Sequence, residues 1–256
     1  MTFFIPAALF IFGAIVASFV GVVSGRLHTG QSFLIGRSRC DACNAPLTPL
    51  ALVPIVSYFV SGGRARCCGE RLSPISSLTE ILLGALFVLA YINIGLTIAL
   101  PFFLLSLSVL LALVLYDLAH QILPSLLLAV FVATSAATGF FFAPSLSAFY
   151  SSLITAFLIA TSLALIHFAS SGRAMGLADA PLSFGLALLA GTNAFSGFIF
   201  SFWIGAVVGI VLLAGRPVGS RMGVEVPFAP FLTAGFLLAY FTQWNLITLI
   251  LAMGLR

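Results

Sequence analysis

The sequence predicts an all-α integral membrane protein with about eight transmembrane helices and one cytoplasmic loop module that contains cysteines. Of its 256 residues, 62% are hydrophobic and only 6% are charged, whereas charged residues make up about a quarter of an ordinary soluble domain. The apolar residues form long runs without the alternation typical of barrel strands. Since backbone groups in hydrocarbon must be satisfied within helices or a closed barrel, these runs favour a bundle of helices and exclude a water-soluble fold.

The first apolar run, from Phe3 to Gly25, is expected to be a retained span rather than a secretory signal. A signal peptide carries basic residues ahead of its apolar core, whereas the first basic residue here is Arg26, behind the run. Because arginines collect on the cytoplasmic side of membrane proteins, this order predicts an N-terminus outside and Arg26 in the cytoplasm.

The one long polar stretch, residues 26–76, is expected to form the cytoplasmic module. It contains all four cysteines and six of the ten arginines, and the sequence has no lysine. Basic charge in loops beside apolar spans sets membrane orientation and attracts lipid headgroups, so we expect membrane lipid and not nucleic acid as its partner. The expected division is a first helix at 1–25, this module at 26–76 and a membrane-embedded domain at 77–256.

Six further apolar runs follow, and most have about the 20 residues that cross roughly 30 Å of hydrocarbon. They cover Ser77–Ile94, Leu96–Tyr116, Ile122–Phe142, Leu146–Phe168, Leu182–Leu213 and Phe231–Met253. The run at 182–213 is too long for one span, and Gly191-Thr192-Asn193 interrupts it. A hairpin of two short spans there keeps Arg216 and Arg221 on the side of the module. We therefore expect eight spans, with both termini outside.

Asp117 and Asp179 are the candidate catalytic residues. Asp117 ends one apolar run and Asp179 lies between two others, so eight spans place both at the cytoplasmic margin. An ionisable residue that borders a span is costly to keep there and is a functional-site hypothesis by default. Two adjacent carboxylates share one proton, which gives the general acid and the general base of an aspartic peptidase.

Two alternatives for the aspartates stay open at this point. Asp179 precedes Pro181 by two residues, as a side chain at a helix N-terminus would, and a carboxylate is favoured there by the free N–H groups and the dipole. A small transporter or channel could instead use both carboxylates as a proton or cation relay. Relay carboxylates lie near the bilayer midplane, which disfavours that alternative.

The four cysteines of the module predict a structural zinc site. Cys40 and Cys43 form a C-x-x-C pair, and Cys67 and Cys68 follow in the same module. A stable disulfide is not expected on the cytoplasmic side, so the spacing favours a metal, with free thiols as the alternative. Adjacent cysteines diverge in extended chain. Either Cys67 reaches inward through a turn, or Cys68 acts with only three thiolates and another ligand.

The sequence also suggests roles for two other polar residues, Glu80 and His120. Glu80, near the start of the second span, is expected to pair with Arg66 or Arg71 inside the protein. His120 lies one helical turn beyond Asp117, where it could orient that carboxylate or a water, although a solvated interfacial histidine is the favoured interpretation.

Motifs spread over most of the chain match one known family. They are Ala17-Ser18-Phe19 before Arg26-Leu27, the cysteine loop, Leu50 to Tyr58 with two prolines, Leu72-Ser73-Pro74, Glu80, Asp117 with His120-Gln121 and Leu123-Pro124, Val226 to Leu232, and the Gly-x-Gly-Asp-like loop Gly176-Leu177-Ala178-Asp179. The pattern resembles the bacterial prepilin peptidases, also called type IV leader peptidases or prepilin peptidase/N-methyltransferases.

The resemblance implies that Asp117 and Asp179 are the catalytic pair of an aspartic endopeptidase in the bacterial cytoplasmic membrane, with the active site facing the cytoplasm. The implied substrates are precursors of type IV pilins and of pilin-like type II secretion subunits. Their basic leader is cut just ahead of an apolar N-terminal helix. Many members then methylate the new N-terminus with S-adenosylmethionine, and in the family the cysteine loop is associated with methylation and with a structural metal.

Two positions beside Asp179 depart from the family pattern, because Ala178 stands where Gly is usual and Pro181 where Lys is usual. If residue 178 requires a positive φ, Ala would be strained there by about 1 kcal/mol or more. An inactive assembly scaffold that kept the fold is therefore a further alternative.

Overall fold

The computed structural model describes residues 3–27, 40, 42–43, 45–46, 48, 53–173, 175–215 and 226–246. Over these residues the regular elements are helices, and Arg64 and Arg71 form an isolated bridge. The helices are α1 (Phe4–Arg26), α2 (Val56–Val60), α3 (Pro74–Ile94), α4 (Ala99–His120), α5 (Ser125–Phe142), α6 (Leu146–Ala169), α7 (Asp179–Ala190), α8 (Ala194–Ala214) and α9 (Ala229–Thr242).

The chain divides into two compact units, Met1–Gly95 and Leu96–Arg256. The first unit contains α1 to α3 and the cysteines, and the second contains α4 to α9 with both candidate aspartates. The division expected from the sequence, with boundaries after residues 25 and 76, stays a prediction.

Six stretches of helix in the described residues are long and apolar enough to cross a bilayer. They are Phe4–Arg26, Pro74–Ile94, Ala99–His120, Ser125–Phe142, Leu146–Ala169 and Asp179–Ala214, the last being α7 and α8 taken together. Their outer faces keep large apolar side chains exposed, such as Phe157 and Leu158 at 62% and 63%. A surface of this kind is stable against lipid and not against water. The all-helical membrane fold expected from composition is confirmed.

In the first unit, α1 and α3 cross at two glycines. A Cβ added at Gly13 would lie 2.8 Å from the Cα of Gly84, and one added at Gly84 would lie 2.8 Å from the carbonyl oxygen of Phe10. Because lipid tails are as apolar as the side chains, helices in a membrane associate through such close packing of small residues.

In the second unit, α8 and α9 run in opposite directions and touch through their backbones. At one end, the side-chain amide of Asn193, just before α8, donates to the side chain of Gln243, just after α9, over 2.8 Å. Midway, the hydroxyl of Ser201 donates to the carbonyl of Leu232 over 3.2 Å. A Cβ added at Gly235 would overlap the backbone nitrogen of Ser201. The approach therefore depends on the absent side chain at residue 235.

Replacing Gly235 with Ala is expected to destabilise the protein by about 1–3 kcal/mol, because overpacking forces the two helices apart. Thermal unfolding in detergent, followed through tryptophan fluorescence, measures the effect as a lower midpoint. Gly209→Ala is the matched control on α8, since nothing lies within 4 Å of a Cβ added there. Equal midpoints for Gly235→Ala and the wild type would contradict the close contact.

The hairpin expected within residues 182–213 is present as α7 and α8. Gly191, with φ +56°, ends α7, and a short 3-10 turn leads into α8. Asp179 at the start of α7 lies close to Asp117. The backbone N–H of Ala229, at the start of α9, hydrogen-bonds to the same Asp117. α7 and α9 therefore begin at one end of the unit. Since α8 runs antiparallel to α9, it also runs antiparallel to α7.

Helix α9 covers only part of the last expected span, Phe231–Met253. α9 ends at Thr242, where Gln243 adopts a left-handed conformation with φ 56°. The apolar run in the sequence continues beyond this point, but residues 247–256 lie outside the described part, as do Arg216 and Arg221, on which the expected orientation depends.

Candidate active site and cysteine cluster

Asp117 lies in the last turn of α4, which continues past the expected end at Tyr116 to His120. Its side chain is 6% exposed. The backbone N–H of Ala229 hydrogen-bonds to this carboxyl group, while Oδ2 has no hydrogen-bond partner among the described residues. The carboxyl group is thus anchored by one backbone donor, and Oδ2 is buried without one among the described residues.

Ala229 is a site residue that sequence reasoning missed. It is the first residue of α9, so its N–H is one of the donors that a helix cannot satisfy internally. Pro230 occupies the second position of the helix, where a missing N–H costs nothing. The signal in the sequence is the Val226 to Leu232 motif. It contains the start of α9, which lies against Asp117.

Asp179 is the first residue of α7, three residues before the expected start of that span. Its side chain is 7% exposed, and Oδ2 accepts the backbone N–H of Gly176 over 3.2 Å. The helix has no side-chain cap. Asp179 thus lies in the first turn of α7, as the helix N-terminus alternative expects, while its hydrogen bond is to the loop that precedes the helix.

The two carboxylates lie close enough for their charges to repel each other. α5 and α9 each pack against both α4 and α7, which brings Asp117 and Asp179 to one end of the second unit. Both groups are buried, and each has one backbone N–H donor. The structure thus gathers the pair that the sequence singled out.

The two departures beside Asp179 fit the local backbone. Ala178 has φ −69° and ψ −16°, a right-handed helical conformation that Ala adopts without strain. Pro181 lies in the first turn of α7, where the N–H that proline lacks would have no partner within the helix. Neither residue distorts the loop that carries Asp179.

His120 agrees with the favoured interpretation of a solvated histidine, whereas Glu80 has another partner than the one expected. His120 is exposed, and its ring lies against Tyr116 with 4.4 Å between ring centroids. Glu80 is buried and accepts the backbone N–H of Ile55 over 2.7 Å. Within the described residues, this N–H replaces the arginine pairing expected for Glu80.

The four cysteines form one cluster in the first unit, with all Sγ atoms within 4.8 Å of one another. Cys40 and Cys68 are 3.8 Å apart, and Cys43 and Cys67 are 3.3 Å apart. Residues 66–68 form a turn, so the adjacent cysteines both face the cluster, as one of the two expected arrangements requires. Four thiolates about 2.3 Å from a tetrahedral zinc would be about 3.8 Å apart, which these distances bracket.

Two thiols of the cluster, those of Cys40 and Cys67, have different pKa values. Backbone hydrogen bonds from Cys43 and Ala42 lower the pKa of Cys40 to about 7. Side-chain hydrogen bonds between Cys67 and the thiols of Cys43 and Cys40 raise the pKa of Cys67 to about 12. A thiolate at Cys40 surrounded by thiols is a suitable first ligand for a cation, because the thiolate is the form that binds metal.

A cavity of about 450 Å³ adjoins the cluster. Cys40 and Cys67 lie on its wall. The other lining side chains are arginines, apolar residues, hydroxyl residues and one acid, among them Arg64, Arg66, Arg71, Val56, Val60, Leu72 and Glu70. Its volume lies within the range of small-molecule sites.

Comparison with known proteins gives one family. Residues 11–94 match the Bacterial Peptidase A24 N-terminal domain. A prepilin leader peptidase/N-methyltransferase of Bacillus subtilis is 29% identical over 248 residues, which are 96% of this chain and 98% of the relative. One of Dichelobacter nodosus is 28% identical over 80% of this chain and 71% of its own length.

A shorter match has higher identity. A prepilin leader peptidase/N-methyltransferase of Myxococcus xanthus is 37% identical over 116 residues, or 45% of this chain and 35% of the relative. No solved structure matches the chain. The matches confirm the resemblance that the motifs carry: the chain is similar to prepilin leader peptidase/N-methyltransferases over nearly its whole length.

Proposed function

We propose that the chain is a membrane aspartic endopeptidase that removes the basic leader of type IV pilin-like precursors. The observation that carries the proposal is the pair of buried carboxylates, Asp117 and Asp179, at one end of the second unit. The names of the relatives support the substrate class, and the pair supplies the chemistry.

The pair is suited to general acid–base hydrolysis of a peptide bond. The ionised carboxylate takes a proton from a water, which attacks the scissile carbonyl carbon, while the protonated carboxyl donates its proton to the carbonyl oxygen. When the tetrahedral gem-diol collapses, the C–N bond breaks and the carboxyl that took the water proton gives it to the leaving nitrogen. The other carboxylate takes a proton from a diol hydroxyl as the carbonyl re-forms, so the pair returns to its starting, singly protonated arrangement. The N–H groups of Ala229 and Gly176 hold the two carboxyls in place during these transfers.

The position of the pair at the helix ends fits a substrate with a polar leader and an apolar helix. A precursor of this type leaves its helix in lipid and presents the bond to be cut at the membrane margin. Arg173, in the loop just before Asp179, lies at the same end of the unit. Since arginines favour the cytoplasmic side, this end faces the cytoplasm in our proposal.

In the same proposal the cysteine cluster binds a structural zinc ion. Cys40, Cys43, Cys67 and Cys68 would be its four ligands, and their spacing fits tetrahedral coordination. The zinc would stabilise the loop module and take no part in peptide hydrolysis, which the two carboxylates can perform alone.

N-methylation of the new N-terminus with S-adenosylmethionine is the second activity that we propose. The cavity beside the cysteine cluster fits such a donor in volume, and Arg64, Arg66 and Arg71 suit the carboxylate of its amino-acid part. Bound there, the cofactor would supply an activated methyl group. Val56, Val60 and Leu72 would contact its apolar parts.

Proteoliposomes that contain the purified protein and a pilin-like precursor test the proposal. Mass spectrometry should show one cut between the basic leader and the apolar helix, and a gain of one methyl group when S-adenosylmethionine is added. A proton-sensitive dye inside the vesicles should report no flux. Proton flux without cleavage would favour the relay, and neither cleavage nor flux would favour the inactive scaffold.

A further inference from the structure

His167 lies in the last turn of α6, just before the loop that leads to α7. The N–H of Gly172 donates to the carbonyl of His167 over 2.8 Å, and the N–H of Ser171 donates to that of Phe168 over 3.2 Å. These are the two bonds of a Schellman motif, with Ser171 as its left-handed residue at φ 53°. The position of His167 is thereby fixed relative to the loop that follows.

The imidazole of His167 reaches forward across this loop. Its Nδ1 lies 2.8 Å from the carbonyl oxygen of Met175, a buried residue. Since a carbonyl oxygen can only accept, Nδ1 must carry the proton. Gly172, at φ +77°, makes room for the ring, because a Cβ added there would lie 3.3 Å from Cε1 of His167.

One peptide group connects this histidine to the candidate catalytic residue. The carbonyl of Met175 and the N–H of Gly176 belong to the same planar peptide unit. The carbonyl accepts from His167, and the N–H donates to Oδ2 of Asp179 over 3.2 Å. Hydrogen bonds in series polarise one another, so each bond strengthens the other.

We propose that His167 is a positioning residue for Asp179, acting through the Met175–Gly176 peptide. The inference rests on the proposed function, in which Asp179 is one of two catalytic carboxyls. Without the imidazole, the peptide unit can rotate and Asp179 loses the donor that sets its orientation. Because His167 touches no reacting group itself, its loss lowers the rate of the chemical step and leaves substrate binding unchanged.

Two variants separate positioning from mere loop packing. His167→Phe keeps a ring of similar size and removes the donor, whereas His167→Asn places an amide N–H near the position of Nδ1. For cleavage of a pilin-like precursor we expect His167→Phe to lower kcat by about 10- to 100-fold with KM unchanged. His167→Asn should recover most of that loss. Wild-type kcat in His167→Phe, or equal losses in both variants, would overturn the inference.

The protonation of the ring gives a readout that does not depend on activity or on a folded variant. In ¹⁵N-histidine NMR spectra of the wild type, His167 should carry its proton on Nδ1, and an unprotonated Nδ1 would overturn the inference. Asp179→Asn, assayed alongside, separates the two proposals. Wild-type cleavage by Asp179→Asn would remove the proposed function, whereas its loss together with full activity of His167→Phe would remove only the role of His167.

Discussion

Asp117→Asn and Asp179→Asn are each expected to slow leader removal by about 1000-fold, the middle of the range for loss of a general acid or base. Asparagine keeps the shape of the side chain and an oxygen that can accept from Ala229 or Gly176. It cannot take up or release a proton. The fold should therefore persist while the chemistry stops, as measured by initial rates of product formation in proteoliposomes.

Glu80→Gln is the matched control for this experiment. It also neutralises a buried carboxyl, and its amide oxygen can still accept the N–H of Ile55. Glu80 lies in the first unit and has no part in the proposed hydrolysis, so its variant should cleave at the wild-type rate. A comparable loss in Glu80→Gln would show that neutralising any buried carboxyl is harmful, and the Asn results would then not identify a catalytic pair.

Zinc binding is the second large effect that we expect. The purified wild type should contain one zinc ion per chain by elemental analysis, and a Cys40→Ser/Cys43→Ser variant should contain almost none, because it loses half of the ligands. Removal of a structural metal destabilises the fold that it holds together, so the thermal midpoint of this variant should fall. Loading should also fall as the pH is lowered, since protons compete with zinc for the thiolates.

Single variants of the adjacent cysteines refine this result. The Sγ atoms of Cys67 and Cys68 both face the cluster, so Cys67→Ser and Cys68→Ser should each weaken zinc binding. Full zinc affinity in one of them would indicate three thiolate ligands, as in the arrangement considered from the sequence. Absence of zinc from the wild type would contradict the metal site altogether.

Composition was sufficient to predict the helical membrane fold, because long apolar runs with so few charged residues exclude a water-soluble fold. The hairpin of α7 and α8 was also predictable, since an apolar run of unusual length is interrupted by Gly191-Thr192-Asn193. The pairing of Asp117 and Asp179 followed from treating both as costly residues at one membrane margin. In each case the signal lay in side-chain chemistry along the sequence itself.

The contacts that orient the aspartates were not predictable in this way. Ala229 and Gly176 contribute backbone N–H groups, which every residue except proline possesses, so nothing in their side chains marks them. Nothing in the sequence indicates the role of His167 either, because its partner, the carbonyl of Met175, is likewise a backbone group. The turn that directs both Cys67 and Cys68 inward depends on local backbone hydrogen bonds that residue spacing does not specify.

The rate of leader removal by the double variant Asp117→Asn/Asp179→Asn tests most directly whether the two carboxylates act as one catalytic pair. Groups that work as a unit have non-additive effects, because losing either one already disables both. The double variant should therefore be no slower than the slower single variant. Independent roles would instead multiply the two losses to about a million-fold, and that result, or a single variant at the wild-type rate, would contradict the account.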